Sequence, residues 1–190
     1  SAPISALQDT LNQAQRLTGS IIQLRPEVRR TLDLAVSLYF LVASDHSAIQ
    51  ESLSTAILNE INRRKYPRYC IKRSGPIFAN RSELEQYQQA LDEEKRLAEI
   101  EVIDEDLINE ISHKFQAAVD ASAQSNRSYF LKRYTAGWIY CRILGSLSAA
   151  LEAAKEHARA VSLLKKLLAQ TQFCLGRRGK WWERLVLDTS

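Results

Sequence analysis

A chain of 190 residues with 45% apolar content is long enough for one large or two small domains around a sizeable core. Its six glycines and four prolines leave long stretches uninterrupted, so the fold class expected is all-α, a helical array with one short extended or β-hairpin segment near 66–79. The opening SAPISALQD lacks the basic and apolar regions of a signal peptide. The longest nearly apolar run, Leu34 to Ala43, is about half of a membrane span, so no membrane partner is expected.

The chain has no methionine at all and reads as an excised segment. Its three cysteines (Cys70, Cys141, Cys174) are odd in number and far apart, which suits reduced packing thiols in an intracellular protein. The net charge of +4 is unevenly spread. Residues 61–82 hold seven bases and no acid, residues 83–120 twelve acids against three bases, and residues 121–190 twelve bases against four acids. Two basic regions around an acidic middle fit a cationic face for nucleic acid, and equally fit solvated helix faces.

In chain order, a first helix follows Pro3, with Leu7, Leu11, Ala14 and Leu17 on one side, and ends near Gly19. Pro26 opens a second, with Val28, Leu32, Ala35, Tyr39 and Val42 inward, expected to be the most buried element of the first half. A third, from about Ser47 to Lys65, turns Leu53, Ile57 and Ile61 inward and ends in Arg63-Arg64-Lys65, which complements the helix dipole without any DNA. Two prolines, Gly75 and alternating apolar residues then predict the loop or hairpin of Tyr66 to Ala79. Ser82-x-x-Glu85 has the pattern of a capping box for a helix carrying Leu84, Tyr87 and Leu91. The acidic run Glu99 to Asp106 reads as a linker, followed by a helix from near Asp104 bearing Leu107, Ile108, Ile111, Phe115 and Val119.

From Ser128 a long helix is predicted, with an apolar face at 130, 134, 138 and 141 and a small-residue stripe at Gly137, Cys141, Gly145 and Ala149. Trp138 is expected to be largely buried beside that stripe. The next helix places Val161, Leu164 and Leu168 on one side and Lys165 and Lys166 on the other. Together the two look like one degenerate tetratricopeptide-like hairpin. A basic loop follows, in which Arg177, Arg178, Lys180 and Arg184 surround two glycines and Trp181-Trp182, before a helix starting near Lys180. Arginine and lysine are phosphate-binding donors, but a cation at a helix start opposes the dipole unless an anion is there too.

Catalytic chemistry is not legible. His46, His113 and His157 stand alone, and there is neither a phosphate loop nor a nucleophile motif. Glu93-Glu94-Lys95 spells ExK but reads as a solvated helix face.

Three separated segments resemble the Fanconi-associated nuclease family: KYPRYCIKRSGPIFANRSELEQY (65–87), YTAGWIYCRIL (134–144) and RRGKWWERL (177–185). The family carries a GWIY-x-RIL helix and an RGRWW-[DE]-RL element, and Lys180 replaces its second arginine there, keeping the charge but losing the planar fork. The resemblance covers about 120 residues, with residues 5–43 matching more loosely. It implies a helical region, 1–100, following a SAP-type DNA-binding region, and a tetratricopeptide-like region, 101–190. It further implies a non-catalytic, DNA-handling part of a structure-specific 5′ flap nuclease of interstrand crosslink repair, with no cofactor of its own; magnesium or manganese belongs to a nuclease domain not included here. Implied partners are branched or flapped DNA with a 5′ phosphate, a possible repair protein and the rest of its own chain, in a nucleus if eukaryotic and otherwise in a cytoplasm. The residues implied to meet DNA are Lys180, Arg178, Arg177, Arg73, Lys72 and Arg68. The alternative is a tetratricopeptide-like protein-interaction module that touches no DNA.

Overall fold

The computed structural model describes residues 4–19, 24–41, 46–67, 70, 75–98 and 103–189. Among these residues eight α-helices follow one another: α1 (Ile4–Thr18), α2 (Pro26–Phe40), α3 (His46–Glu60), α4 (Arg81–Ala98), α5 (Glu105–Ala123), α6 (Ala136–Ala153), α7 (His157–Ala169) and α8 (Arg178–Thr189). No strand occurs among the described residues. The expected hairpin is a series of bends where described; Arg68, Lys72 and Arg73 lie outside the described residues.

The core sits around α6, which packs on α4, α5 and α7, while α8 packs on α7. Ile139, Cys141, Ile143, Leu144, Leu147 and Leu151 turn inward along α6 and meet Leu163, Leu164 and Leu167 of α7. The α4 and α5 faces read from periodicity, Leu84, Tyr87 and Leu91, then Ile108, Ile111 and Phe115, are buried in the same core. Asp104 caps α5, its Oδ1 accepting from the Leu107 N–H at 2.7 Å. The α4 cap lies two residues before the expected one. Asn80 Oδ1 accepts from the Glu83 N–H at 2.9 Å, while the Glu83 carboxylate accepts from the Ala79 N–H at 2.6 Å and from Arg127 at 2.8 Å.

Other expectations are corrected. The long helix expected from Ser128 begins only at Ala136, because Thr135 is extended (φ −119°, ψ 152°) and residues 131–134 form a 3-10 turn. On α2 the buried stripe is Leu34 and Ser37, continued by Leu41, with Val28, Leu32 and Tyr39 exposed. A polar contact accompanies that rotation: the buried Ser37 hydroxyl donates to Gln88 Oε1 of α4 at 2.6 Å. Leu11 and Leu17 of α1, and Leu53 and Ile57 of α3, are exposed too, as is Ile61. The Arg63 triplet stands beyond the end of α3. There Asn62 is left-handed (φ 58°), and the N–H groups of Asn62 and Arg63 close back on the carbonyls of Asn59 and Leu58, a Schellman stop. Glu93 and Glu94 are not a solvated face: they bind Lys114 of α5 and Arg142 of α6 across helix interfaces.

The small stripe on α6 admits two rings. A Cβ on Gly137 would stand 2.5 Å from Phe173 Cζ and 2.9 Å from Ala118 Cβ, whereas one on Gly145 would be 3.7 Å from Trp181 Nε1. Ala149 is exposed. Trp138 is only half-buried, since the inward side of α6 is taken by Ile139 and Cys141 and Trp138 stands at the edge of the first turn.

The two glycines should respond with opposite sign. Gly137→Ala is expected to lose about 1–3 kcal/mol by overpacking, because the Phe173 ring is enclosed and has nowhere to retreat. Gly145→Ala is expected to gain about 0.5–1 kcal/mol from helix propensity. Urea denaturation of both variants checks this, and equal losses would mean the stripe is uniformly tight. By the same measurement Phe173→Ala should cost about 3–5 kcal/mol, and Trp138→Ala clearly less.

Candidate nucleic-acid interface

The site is built by the turn between α7 and α8. Gln170 is buried there, and its side-chain amide closes the turn on itself. Oε1 accepts from the N–H groups of Gln172 (2.6 Å) and Phe173 (2.8 Å), and Nε2 donates to the carbonyls of Leu167 (3.2 Å) and Phe173 (3.0 Å). Those four bonds use the full capacity of an amide. The turn thereby drives Phe173 against Gly137 and leaves Cys174 left-handed (φ 51°), its carbonyl accepting from the Arg177 N–H at 2.8 Å. A 3-10 turn, Leu175–Arg177, then leads straight into α8.

Where this turn faces the start of α6, a hollow of about 500 Å³ opens. Tyr129, Phe130 and Trp138 form its aromatic side, and Arg133, Arg142 and Arg177 its cationic side, with Cys174 between them. The Tyr129 hydroxyl accepts from the Leu175 N–H at 2.9 Å, and the Tyr129 ring meets Trp138 edge to face, with centroids 5.6 Å apart. The Arg133 guanidinium lies 6.0 Å from the Phe130 centroid and 5.8 Å from that of Trp138. Arg142 is gripped through Nε and Nη2 by Glu94, which fixes its fork and leaves the Nη1 edge. The Cys141 thiol is a hydrogen-bond partner of Cys174 and holds the Cys174 thiol below its usual range, against burial and with help from Arg177, Arg142 and Arg133. The same bond, together with burial, pushes Cys141 up. These two cysteines are the buried thiols expected; Cys70 is exposed.

Arg177 and Gly176 also border a second hollow, of about 390 Å³, reached by Lys180 and Arg184. The predicted residues of the chain end are therefore sorted by their surroundings. Arg177 and Lys180 are exposed, and among the described residues neither makes an ion pair. Arg178 donates to the Gln170 carbonyl and so holds the turn. Arg184 stands 3.7 Å from Glu152. The expected basic loop is in fact a helix start, since α8 begins at Arg178 with no acid in its first turn. Trp181 is core, but Trp182 and Val186 are exposed.

Sequence reasoning missed Arg133 and Arg142. The signal was present: Trp138 and Arg142 are one helical turn apart in the GWIY-x-R segment, and Arg133 precedes them across the Thr135 break. The Glu93 and Glu94 carboxylates are committed to Lys114 and Arg142, and no group of three or more His, Cys, Asp or Glu comes together among the described residues. No described helix is long and apolar enough to cross a membrane.

Comparison with known proteins gives this arrangement a family. A family model described as "Fanconi-associated nuclease 1, TPR domain" matches residues 82–190. The chain is 30% identical to Fanconi-associated nuclease 1 of Ailuropoda melanoleuca, 29% to that of Danio rerio and 29% to that of Homo sapiens, each over 94% of the chain. It spans about a fifth of the length of these relatives (19% in each case). With more than half of its residues inside the tetratricopeptide-repeat match and nearly all of them aligned to these relatives, the chain belongs to the Fanconi-associated nuclease family.

Proposed function

We propose that the chain is a non-catalytic, DNA-handling helical segment of a structure-specific nuclease, serving branched or flapped DNA with a 5′ phosphate in interstrand crosslink repair. The observation that carries this reading is the meeting of Arg133, Arg142 and Arg177 at one hollow, with Lys180 across Arg177 in the next. Three guanidiniums that converge without an acid in the lining form an anion site, and the adjoining hollow continues it with Lys180 and Arg184 against a single acid, Glu152. The first turn of α8 adds backbone N–H groups beside Lys180. The metal-dependent cutting of DNA falls to a nuclease domain, and the described residues here hold and orient the strand.

The chain is expected to bind flapped or nicked duplex with an affinity that falls steeply with salt. Arg177→Ala should reduce the log–log salt slope by about 0.9, the share of one phosphate contact on duplex DNA. A slope near zero for the parent would instead make the chain a protein-interaction module. Lys180→Ala should weaken binding to a nicked duplex bearing a 5′ phosphate more than to the same duplex with a 5′ hydroxyl. Fluorescence anisotropy reads both comparisons, and equal losses on the two duplexes would make Lys180 a general backbone contact.

A further inference from the structure

The larger hollow holds more than an anion requires. Phosphate recognition needs cations and N–H donors, yet three of the eight lining residues are aromatic. Phe130 is 59% exposed and Tyr129 44% exposed, and both rings border the cavity. Single exposed aromatics are ordinary, but three rings around one cavity with three arginines are a specific combination. The cavity's volume, about 500 Å³, falls in the range of small-molecule sites, roughly 300–1,000 Å³. Its aromatic side is also held in place. The Tyr129 ring is tied to the Leu175 N–H through its hydroxyl and braced by Trp138, and Phe130 packs edge to face on Tyr134 at 6.1 Å. The Arg133 guanidinium, near two of these rings, is itself a flat cationic surface.

Fixed aromatic faces beside arginine planes and free guanidinium edges match the two halves of a nucleotide, a flat base and its phosphate. We infer that this hollow receives one unpaired nucleobase of a single strand, stacked against Phe130 and Tyr129, while Arg177 and the Nη1 edge of Arg142 hold the flanking phosphates. This deepens the DNA-handling reading and rests on it. A base in a duplex is already stacked on both faces, so the hollow selects strands whose bases are free. Because every base has a π face, the site reads the presence of a base and not its identity.

The test compares the 190-residue chain on a short oligothymidylate and on an abasic strand of the same length and charge, in low salt. The abasic strand should bind at least about 5-fold more weakly. Phe130→Ala should lower affinity for oligothymidylate by about 5- to 150-fold, the range of one lost base–aromatic stack, and leave the abasic strand unaffected. Phe130→Tyr, which keeps the ring, should bind like the parent. Arg177→Ala should weaken both strands alike. Phe130 is mostly exposed, so its variants should fold, which circular dichroism checks. Equal binding of the two strands by the parent, or equal losses on both from Phe130→Ala, would overturn the base site and leave DNA handling standing. Failure of the parent to bind either strand would also overturn the base site, and failure on the nicked duplex as well would overturn the DNA-handling reading.

Discussion

The Gln170 side chain, through its four hydrogen bonds, decides the shape of the last third of the molecule. A glutamine amide so buried is costly unless all its donors and acceptors are used, and here the turn it closes uses them all. The bonds convert an irregular connection between α7 and α8 into a rigid one. Phe173 is pressed against Gly137, Trp181 comes to lie by Gly145, and Arg177 is set at the mouth of two hollows. Arg178 adds a clamp from the other side by reaching the Gln170 carbonyl. The functional surface is thus held by a polar centre inside an apolar core.

Much of this was legible in the sequence. Periodicity placed the helices, and the buried faces of α4 and α5 follow it closely; on α7, which meets both α6 and α8, Leu164 and Leu168 are buried as read, but Ala160, Leu163 and Leu167 join them and Val161 is only half-buried. The small residues of α6 announced a close approach. What approaches Gly137, however, is a ring from a turn, together with Ala118 of α5, and spacing along one helix does not identify its neighbour. The break at Thr135 was not legible, because no proline or glycine marks it and the apolar spacing runs on through Phe130 and Tyr134. The aromatic side of the larger hollow was hidden for that reason. Once residues 129–134 are taken off the helix, Tyr129 and Phe130 turn toward the α7–α8 connection.

The first half teaches a different lesson. A hydrophobic stripe gives the rotation of a helix only when its partner is apolar along the whole stripe. On α2 the side that meets α4 carries Leu34 and Ser37, with Ser37 bonded to Gln88, and Val28, Leu32 and Tyr39 stand outside. The basic triplet after α3 sits beyond a Schellman stop at Asn62, so the helix end is satisfied by backbone geometry, whatever the triplet's own charges do.

The ion pairs of α4 carry a consequence for the field around the molecule. Glu83, Glu93 and Glu94 each lean on a cation from a later helix or turn, so three acids of the middle are neutralised against Arg127, Lys114 and Arg142. Arg177 and Lys180 have no such partners among the described residues. A modest overall charge of +4 therefore conceals a lopsided potential, positive where α8 begins. Such a molecule is turned by a polyanion before it touches one, because the torque on an uneven charge distribution acts across a Debye length, about 8 Å at physiological salt. Encounter then begins at the start of α8, with the aromatic hollow alongside.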